Sequence, residues 1–330
     1  MALQTNLARI PSSDSTKIIH LIILIFVTLG LNACSGSNGG DAAALPAPGS
    51  NLRYAYAANS GDNSISSFSL DTTDGTLKYT GKTATGNRPS SIAIDPIGRY
   101  LYASNRISDD ISVYAINYSD GSLTNVGTIP AGNNPASITV HPSGKFDYVA
   151  NNGSNNISIY SINTTNGMLN GTSTATTGKN PTSIIVDSAG KFAYVTNRAS
   201  KNIDIYYVNQ SSGWLANINK PVATGPGPSS ITLDIAGKFA YVTNLASKDI
   251  SIYQRNSQSG ELTSLGTAPA DTNPTAMVID PSGKYAYVAN NGSNNISVYT
   301  INSISGALAG VGLQVNAQSQ PSSIGRKSAL

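Results

Sequence analysis

Proline opens a short apolar segment six times along the chain, at Pro89, Pro135, Pro181, Pro228, Pro274 and Pro321, with a spacing of about 46 residues. Three further markers keep the same period. Tyr54, Tyr100, Phe146, Phe192, Phe239 and Tyr285 form one set, and Asn59, Asn105, Asn151, Asn197, Asn244 and Asn290 a second. Gly75, Gly121, Gly167, Gly213, Gly260 and Gly306 form the third. A period of this length belongs to architectures in which one unit cannot bury its apolar face alone and must stack on its neighbours.

Within one copy the residues read as four short strands. Pro181–Val186 is an apolar run, followed by the turn Asp187-Ser188-Ala189-Gly190-Lys191, which other copies spell Asp95-Pro96-Ile97-Gly98 and Asp280-Pro281-Ser282-Gly283. Proline fixes φ at the first corner and glycine supplies the positive φ at the exit. Phe192–Asn197 is the second strand, Ile203-Asp204-Ile205-Tyr206 the third, and residues 215–223 the outer one. Tyr194 and Val195, or Ile205 and Tyr206, put bulky apolar groups on both faces of the sheet. Such a sheet has to be covered on both sides. The chain holds a single glutamate, Glu261, and is rich in Tyr, Thr, Ser, Asn, Ile and Val, so no helix pattern is available to cover it.

The sheets must therefore cover one another, which predicts an all-β propeller of six four-stranded antiparallel blades. The first copy lacks its opening strand and the last stops after Pro321-Ser322-Ser323-Ile324. Together they make one whole blade, so the ring is expected to close by pairing the C-terminal strand against residues 53–59.

Residues 1–33 read as an export signal. Arg9 and Lys17 precede an apolar run over residues 18–31, too short for a confident membrane span, that leads to Leu31-Asn32-Ala33-Cys34. Cys34 is the only cysteine, so no intrachain disulfide can form. Its setting resembles a bacterial lipobox and implies lipidation at Cys34, with Ser35 directing the protein to the outer membrane of a Gram-negative envelope. Residues 34–50, rich in Gly, Ala, Ser and Pro, form a flexible tether, and residues 51–330 the propeller domain. Without the signal the net charge is about +2, and no basic stripe interleaves with aromatics, which argues against a nucleic-acid partner.

Tyr194-Val195-Thr196-Asn197 and Tyr241-Val242-Thr243-Asn244 carry a resemblance to the YVTN β-propeller repeat family and to the related lactonase-type propellers that include 6-phosphogluconolactonase. The resemblance spans nearly all of residues 51–324. It implies fold more than activity, because the motif residues recur in every blade. Those relatives have seven blades, whereas six repeats are counted here. Lactone-hydrolysing members resemble one another in a Pro-His-x-His segment, and the matching segment here is Pro135-Ala136-Ser137-Ile138, so no catalytic histidine carries over.

Departures from the repeat are where function should lie. His141, the sole histidine after the signal, replaces Asp95, Asp187, Asp234 and Asp280. It is a candidate general base, weighed against a turn-capping role. Arg88 stands where other copies have Asn134, Asn180, Gly227 and Asn273, and could reach an anionic ligand in the channel. Arg106 and Arg198 could anchor a ligand on a rim of Asn and Ser loops, whose plainer role is to cap hairpins. Trp214 is expected on the outer rim. No metal or cofactor is expected: each loop offers at most two carboxylates for calcium, and zinc, thiolate and phosphate-loop patterns are missing. The sequence thus suggests a monomeric, lipid-anchored binding scaffold with an envelope protein, peptide or glycan partner. Alternatives are a lactone hydrolase of the 6-phosphogluconolactonase type and a surface-layer or adhesin-like module.

Overall fold

The computed structural model describes residues 25–27, 53–71 and 76–317. Among them there is no helix, and the strands form six antiparallel sheets. The second blade shows the pattern: inner strand Pro89–Ile94, second strand Tyr100–Asn105, third strand Asp110–Ile116 and outer strand Leu123–Pro130. The third to sixth blades open with Pro135–Val140, Pro181–Val186, Pro228–Leu233 and Pro274–Ile279. In the fourth blade the outer strand is split into Leu215–Asn217 and Val222–Ala223. Asn219 adopts a φ of 55° there, and Pro221 has no amide to give to the ladder.

Neighbouring blades seal one another through apolar clusters. Tyr54, Tyr56 and Ile65 of the first blade pack with Ile92, Leu101 and Tyr114 of the second, and similar clusters join each later pair up to the fifth and sixth. Burying one such side chain contributes about 1.5–3 kcal/mol. Two repeated hydrogen bonds align each joint. Tyr56 Oη donates to the Gly121 carbonyl (2.8 Å), and Tyr114 Oη donates back to the Ala84 carbonyl (2.6 Å). Gly121 has a φ of 72°, and a Cβ there would overlap the Tyr54 ring, so the glycine and aromatic markers found in the sequence are two halves of one contact.

The joint between the sixth blade and the first differs. Tyr285 is 42 % exposed, whereas its counterparts in the other blades are at most 9 % exposed. Tyr287, Ile296 and Val298 are half-buried where the equivalent residues of the second blade, Tyr102, Ile111 and Val113, are completely buried. On the facing blade Phe68 is half-buried and has no hydroxyl to make the bond that Tyr114, Tyr160, Tyr206, Tyr253 and Tyr299 make at the other five joints.

The expected closing strand, residues 321–324, lies outside the described residues. The inner side of Arg53–Asn59 is instead paired with Ile25–Val27, antiparallel, which gives the first blade its fourth strand together with Ser64–Leu70 and Leu77–Ala84. Part of the segment read as an export signal therefore pairs with Tyr54–Tyr56, within the edge expected to receive the C-terminal strand. Ile, Phe and Val suit a pleated edge.

Candidate functional site at the proline rim

Each inner strand runs from a proline on one rim to an Asp-type turn on the other, and the second strand returns to the repeated asparagine on the proline rim. Those asparagines work for the blade. Asn105 Nδ2 donates to Asp110 Oδ1 (2.6 Å) and Ser112 Oγ (2.9 Å), and Asn151, Asn197, Asn244 and Asn290 make the same pair of bonds in their own hairpins. The Pro-Ser/Thr motif also has a structural role, since Ser90 Oγ, Thr182 Oγ1 and Ser229 Oγ each donate to the proline carbonyl of the next inner strand.

What the repeat does not use is arginine. Arg88 holds a left-handed φ of 56°. The same conformation belongs to Asn134, Asn180 and Asn273 in other blades and to Gly227 in the fifth. Asparagine tolerates this region better, and a long side chain costs about 1 kcal/mol more. The Arg88 carbonyl accepts from the Arg106 amide (2.9 Å), which fixes the two residues side by side at the mouth of the second blade. Arg106 Nε then reaches across to Asn134 Oδ1 of the third blade (2.6 Å).

Arg198 occupies the Arg106 position two blades on, its amide bonded to the Asn180 carbonyl (2.8 Å). Where Arg106 meets an asparagine at the entrance to the next blade, Arg198 has Gly227, which offers no side-chain acceptor. All three arginines are solvent-accessible. Desolvation, followed by the charge of Arg88, lowers the pKa of Arg106; desolvation, followed by the charge of Arg106, lowers that of Arg198. The charges of Arg88 on Arg106, and of Arg106 on Arg198, are thus felt along one rim. Among the described residues the ion pairs are Lys82–Asp62, Arg99–Asp95, Lys220–Glu261 and Arg255–Asp187, so no carboxylate neutralises any of the three. An arginine keeps its charge at any physiological pH, and such a cluster favours an anion with oxygen acceptors.

His141 lies at the other end of its strand, about 20 Å from the proline rim at the usual rise per residue. It is 1 % exposed. Nδ1 accepts from the Ser143 amide (3.0 Å), which leaves Nε2 to donate to the Gly190 carbonyl of the fourth blade (2.9 Å). Both nitrogens are used and water cannot reach them, so the side chain caps its turn and ties two blades together. The candidate base thus has both ring nitrogens engaged within the fold. Trp214 is 53 % exposed on the outer rim, as expected. Cys34 lies outside the described residues.

Two departures in the body of the disc escaped the sequence reading. Arg255 stands where other blades carry Leu70, Ile116, Ile162, Val208 and Ile301, and it pairs, buried, with Asp187 of the preceding blade while donating to Tyr194 Oη (2.7 Å) and the Gly237 carbonyl (2.9 Å). Asp147 replaces Ala55, Leu101, Ala193, Ala240 and Ala286 and is completely buried, with no hydrogen-bond partner for either carboxylate oxygen among the described residues. Burial pushes its pKa well above the carboxylate range, against one backbone amide at Tyr148. A charged residue at a buried repeat position was the signal available for both.

Comparisons with known proteins agree on the architecture. The chain matches the family described as lactonase, seven-bladed β-propeller, over residues 35–133, 127–228 and 220–323. No curated protein matches it. Among solved structures, a candidate 6-phosphogluconolactonase of Bacteroides fragilis is similar at 23 % identity and a TM-score of 0.73, with 84 % of this chain and 85 % of that chain covered. The periplasmic gluconolactonase of Pseudomonas aeruginosa gives 19 % identity, a TM-score of 0.72 and the same coverage. The hydrazine synthase of Kuenenia stuttgartiensis is also similar, at 20 % identity and a TM-score of 0.64 over 82 % of this chain and 86 % of that one. Likeness at this level shows the fold, and one fold serves several chemistries.

Proposed function

The chain belongs to the lactonase family of seven-bladed β-propellers, and from that premise we propose that it is an exported, lipid-anchored binding protein that holds an anionic, hydroxyl-rich ligand at the proline rim. The observation that carries this reading is the trio Arg88, Arg106 and Arg198, three arginines on the proline rim that feel one another's charge and have no carboxylate paired to them among the described residues. Hydroxyls and amides of the rim loops surround them, which suits a sugar acid or an acidic glycan. Export rests on residues 1–33, and the anchor on Cys34.

Hydrolysis of a lactone is the second reading, favoured by the family and by the two lactonase neighbours. It needs a base beside the anion site, and the segment where the resemblance calls for histidines reads Pro135-Ala136-Ser137-Ile138. His141 is buried at the opposite rim and does not supply one.

Calorimetric titration of gluconate and 6-phosphogluconate into the full chain tests the proposal. Saturable binding that weakens with salt is expected, and Arg106→Gln or Arg198→Gln should each weaken it about 10- to 100-fold, the loss of one charge-assisted contact. Binding that ignores both substitutions would remove the arginines from the site. Protein-dependent hydrolysis of 6-phosphogluconolactone would transfer the argument to the second reading.

A further inference from the structure

The proline-rim loops of the third and fourth blades share one frame. In the third, the amides of Asn152 and Gly153 donate to the carbonyls of Asn134 (2.9 Å) and Asn133 (3.0 Å), and the Asn133 amide donates to Ser154 Oγ (2.7 Å). In the fourth, the amides of Arg198 and Ala199 donate to the carbonyls of Asn180 (2.8 Å) and Lys179 (3.1 Å), and the Lys179 amide donates to Ser200 Oγ (2.7 Å). Asn155 and Lys201 hold matching left-handed φ values of 55° and 54°. The backbone is the same and the side chains are not: where the third blade has Asn133, Asn152 and Asn155, the fourth has Lys179, Arg198 and Lys201.

Three amides thus become three cations at the mouth of one blade. All three are exposed, and none belongs to an ion pair among the described residues. Asp204, on the third strand of the same blade, is buried and accepts from the Gly178 amide (2.7 Å) and from Asn197 Nδ2 (2.9 Å). In the second blade Asp109 and Asp110 follow Arg106 in its own loop, whereas no carboxylate stands among residues 177–180 or 198–201. Positive charge therefore rises along the rim toward the fourth blade, and the charge of Arg106 is still felt at Arg198.

We propose that Lys179, Arg198 and Lys201 form a further subsite that continues the anion site of Arg88 and Arg106 and takes successive carboxylates of an acidic glycan. The inference rests on the anionic-ligand reading of the rim and extends it from a single sugar acid to a chain of them. A free sugar acid brings one carboxylate, which the arginines take up, and the two lysines then meet the carboxylate of the next sugar. Lysine is a point charge on a flexible stem, suited to a carboxylate whose place shifts along a polymer. Nucleic acid is the poorer fit. The rim loops of these three blades, residues 85–88, 106–109, 131–134, 152–155, 177–180 and 198–201, hold no aromatic side chain on which a base could stack.

Calorimetric titration of galacturonate and of its linear tetramer into the full chain tests the subsite. The tetramer should bind at least about 10-fold tighter than the monomer, beyond the roughly fourfold that its number of residues alone gives, and salt should weaken it more. Lys179→Asn with Lys201→Asn returns these places to the side chains of the third blade, so the variant should melt as the parent does. It should lose about 10-fold more affinity for the tetramer than for the monomer. If the pair does not fold, Lys179→Gln alone, at a position without left-handed backbone, should show the same preference at about threefold.

Equal affinity of tetramer and monomer, or equal losses of both in the variant, overturns the subsite and leaves the single-anion reading in place. Failure of both ligands to bind overturns the two together. A single-stranded oligonucleotide of equal charge that binds as tightly as the tetramer overturns the assignment to a glycan.

Discussion

Five blade joints and the sixth are built from the same repeat and end differently. At the joint between the third and fourth blades, Phe146 is buried against Gly213 and the Tyr206 hydroxyl bonds the Thr176 carbonyl. At the joint between the sixth blade and the first, Tyr285 is exposed and the facing residue is Phe68. The family has seven blades, and six blades of seven would span about the 85 % of each lactonase-like neighbour that this chain covers. Among the described residues the last joint is sealed by fewer fully buried side chains than the other five. A repeat therefore specifies blades and the joints between successive copies, and does not by itself specify the joint between its last copy and its first.

The widest separation between the two kinds of joint comes from truncating equivalent aromatics. Phe146→Ala should cost about 3–5 kcal/mol of unfolding free energy in a denaturant titration, and Tyr285→Ala less than about 1 kcal/mol. Similar losses would mean that the last joint is as tightly sealed as the rest.

A smaller effect of opposite sign is expected inside the second joint. Asp147→Ala restores the residue used by four other blades and removes an unpartnered carboxyl, so it should stabilise the protein by about 1–3 kcal/mol at neutral pH. The folded pKa of Asp147 is raised, so the unfolded chain loses its proton first. The parent is penalised progressively as pH rises from about 4 toward the folded value, and below about 4 the penalty from ionisation is gone. The gap between parent and variant should therefore narrow on acidification. A gap independent of pH would show that the carboxyl does not titrate differently on folding.

The finest probe is Phe68→Tyr, which offers the first blade the hydroxyl used at the other five joints. With the last joint open, stability should change by less than about 0.5 kcal/mol, whereas a gain of about 1 kcal/mol or more would report a closed joint with a new hydrogen bond.

The blades were legible because the residues that build them recur at fixed spacing. The pairing of Tyr54 with Gly121 was not, since the sequence shows both markers but not that one blade's aromatic covers the next blade's glycine. Arg106 and Arg198 could be named as departures, yet only the fold sets them on one rim close enough to feel each other's charge. His141 was visible as a departure too, and its role was set by burial against Gly190, which no local pattern discloses. Arg255 and Asp147 sat at positions that read as apolar in every other copy, so their charges were signals passed over.

The proposed binding function resides in the arginines that depart from the repeat at the proline rim. It is tested most directly by returning that rim to the repeat, with Arg88→Asn, Arg106→Asn and Arg198→Asn combined in one chain and titrated with 6-phosphogluconate beside the parent. The variant should melt at or slightly above the parent temperature, since Asn relieves the left-handed backbone at position 88, and should have lost binding. Binding of undiminished strength by that folded variant would contradict it.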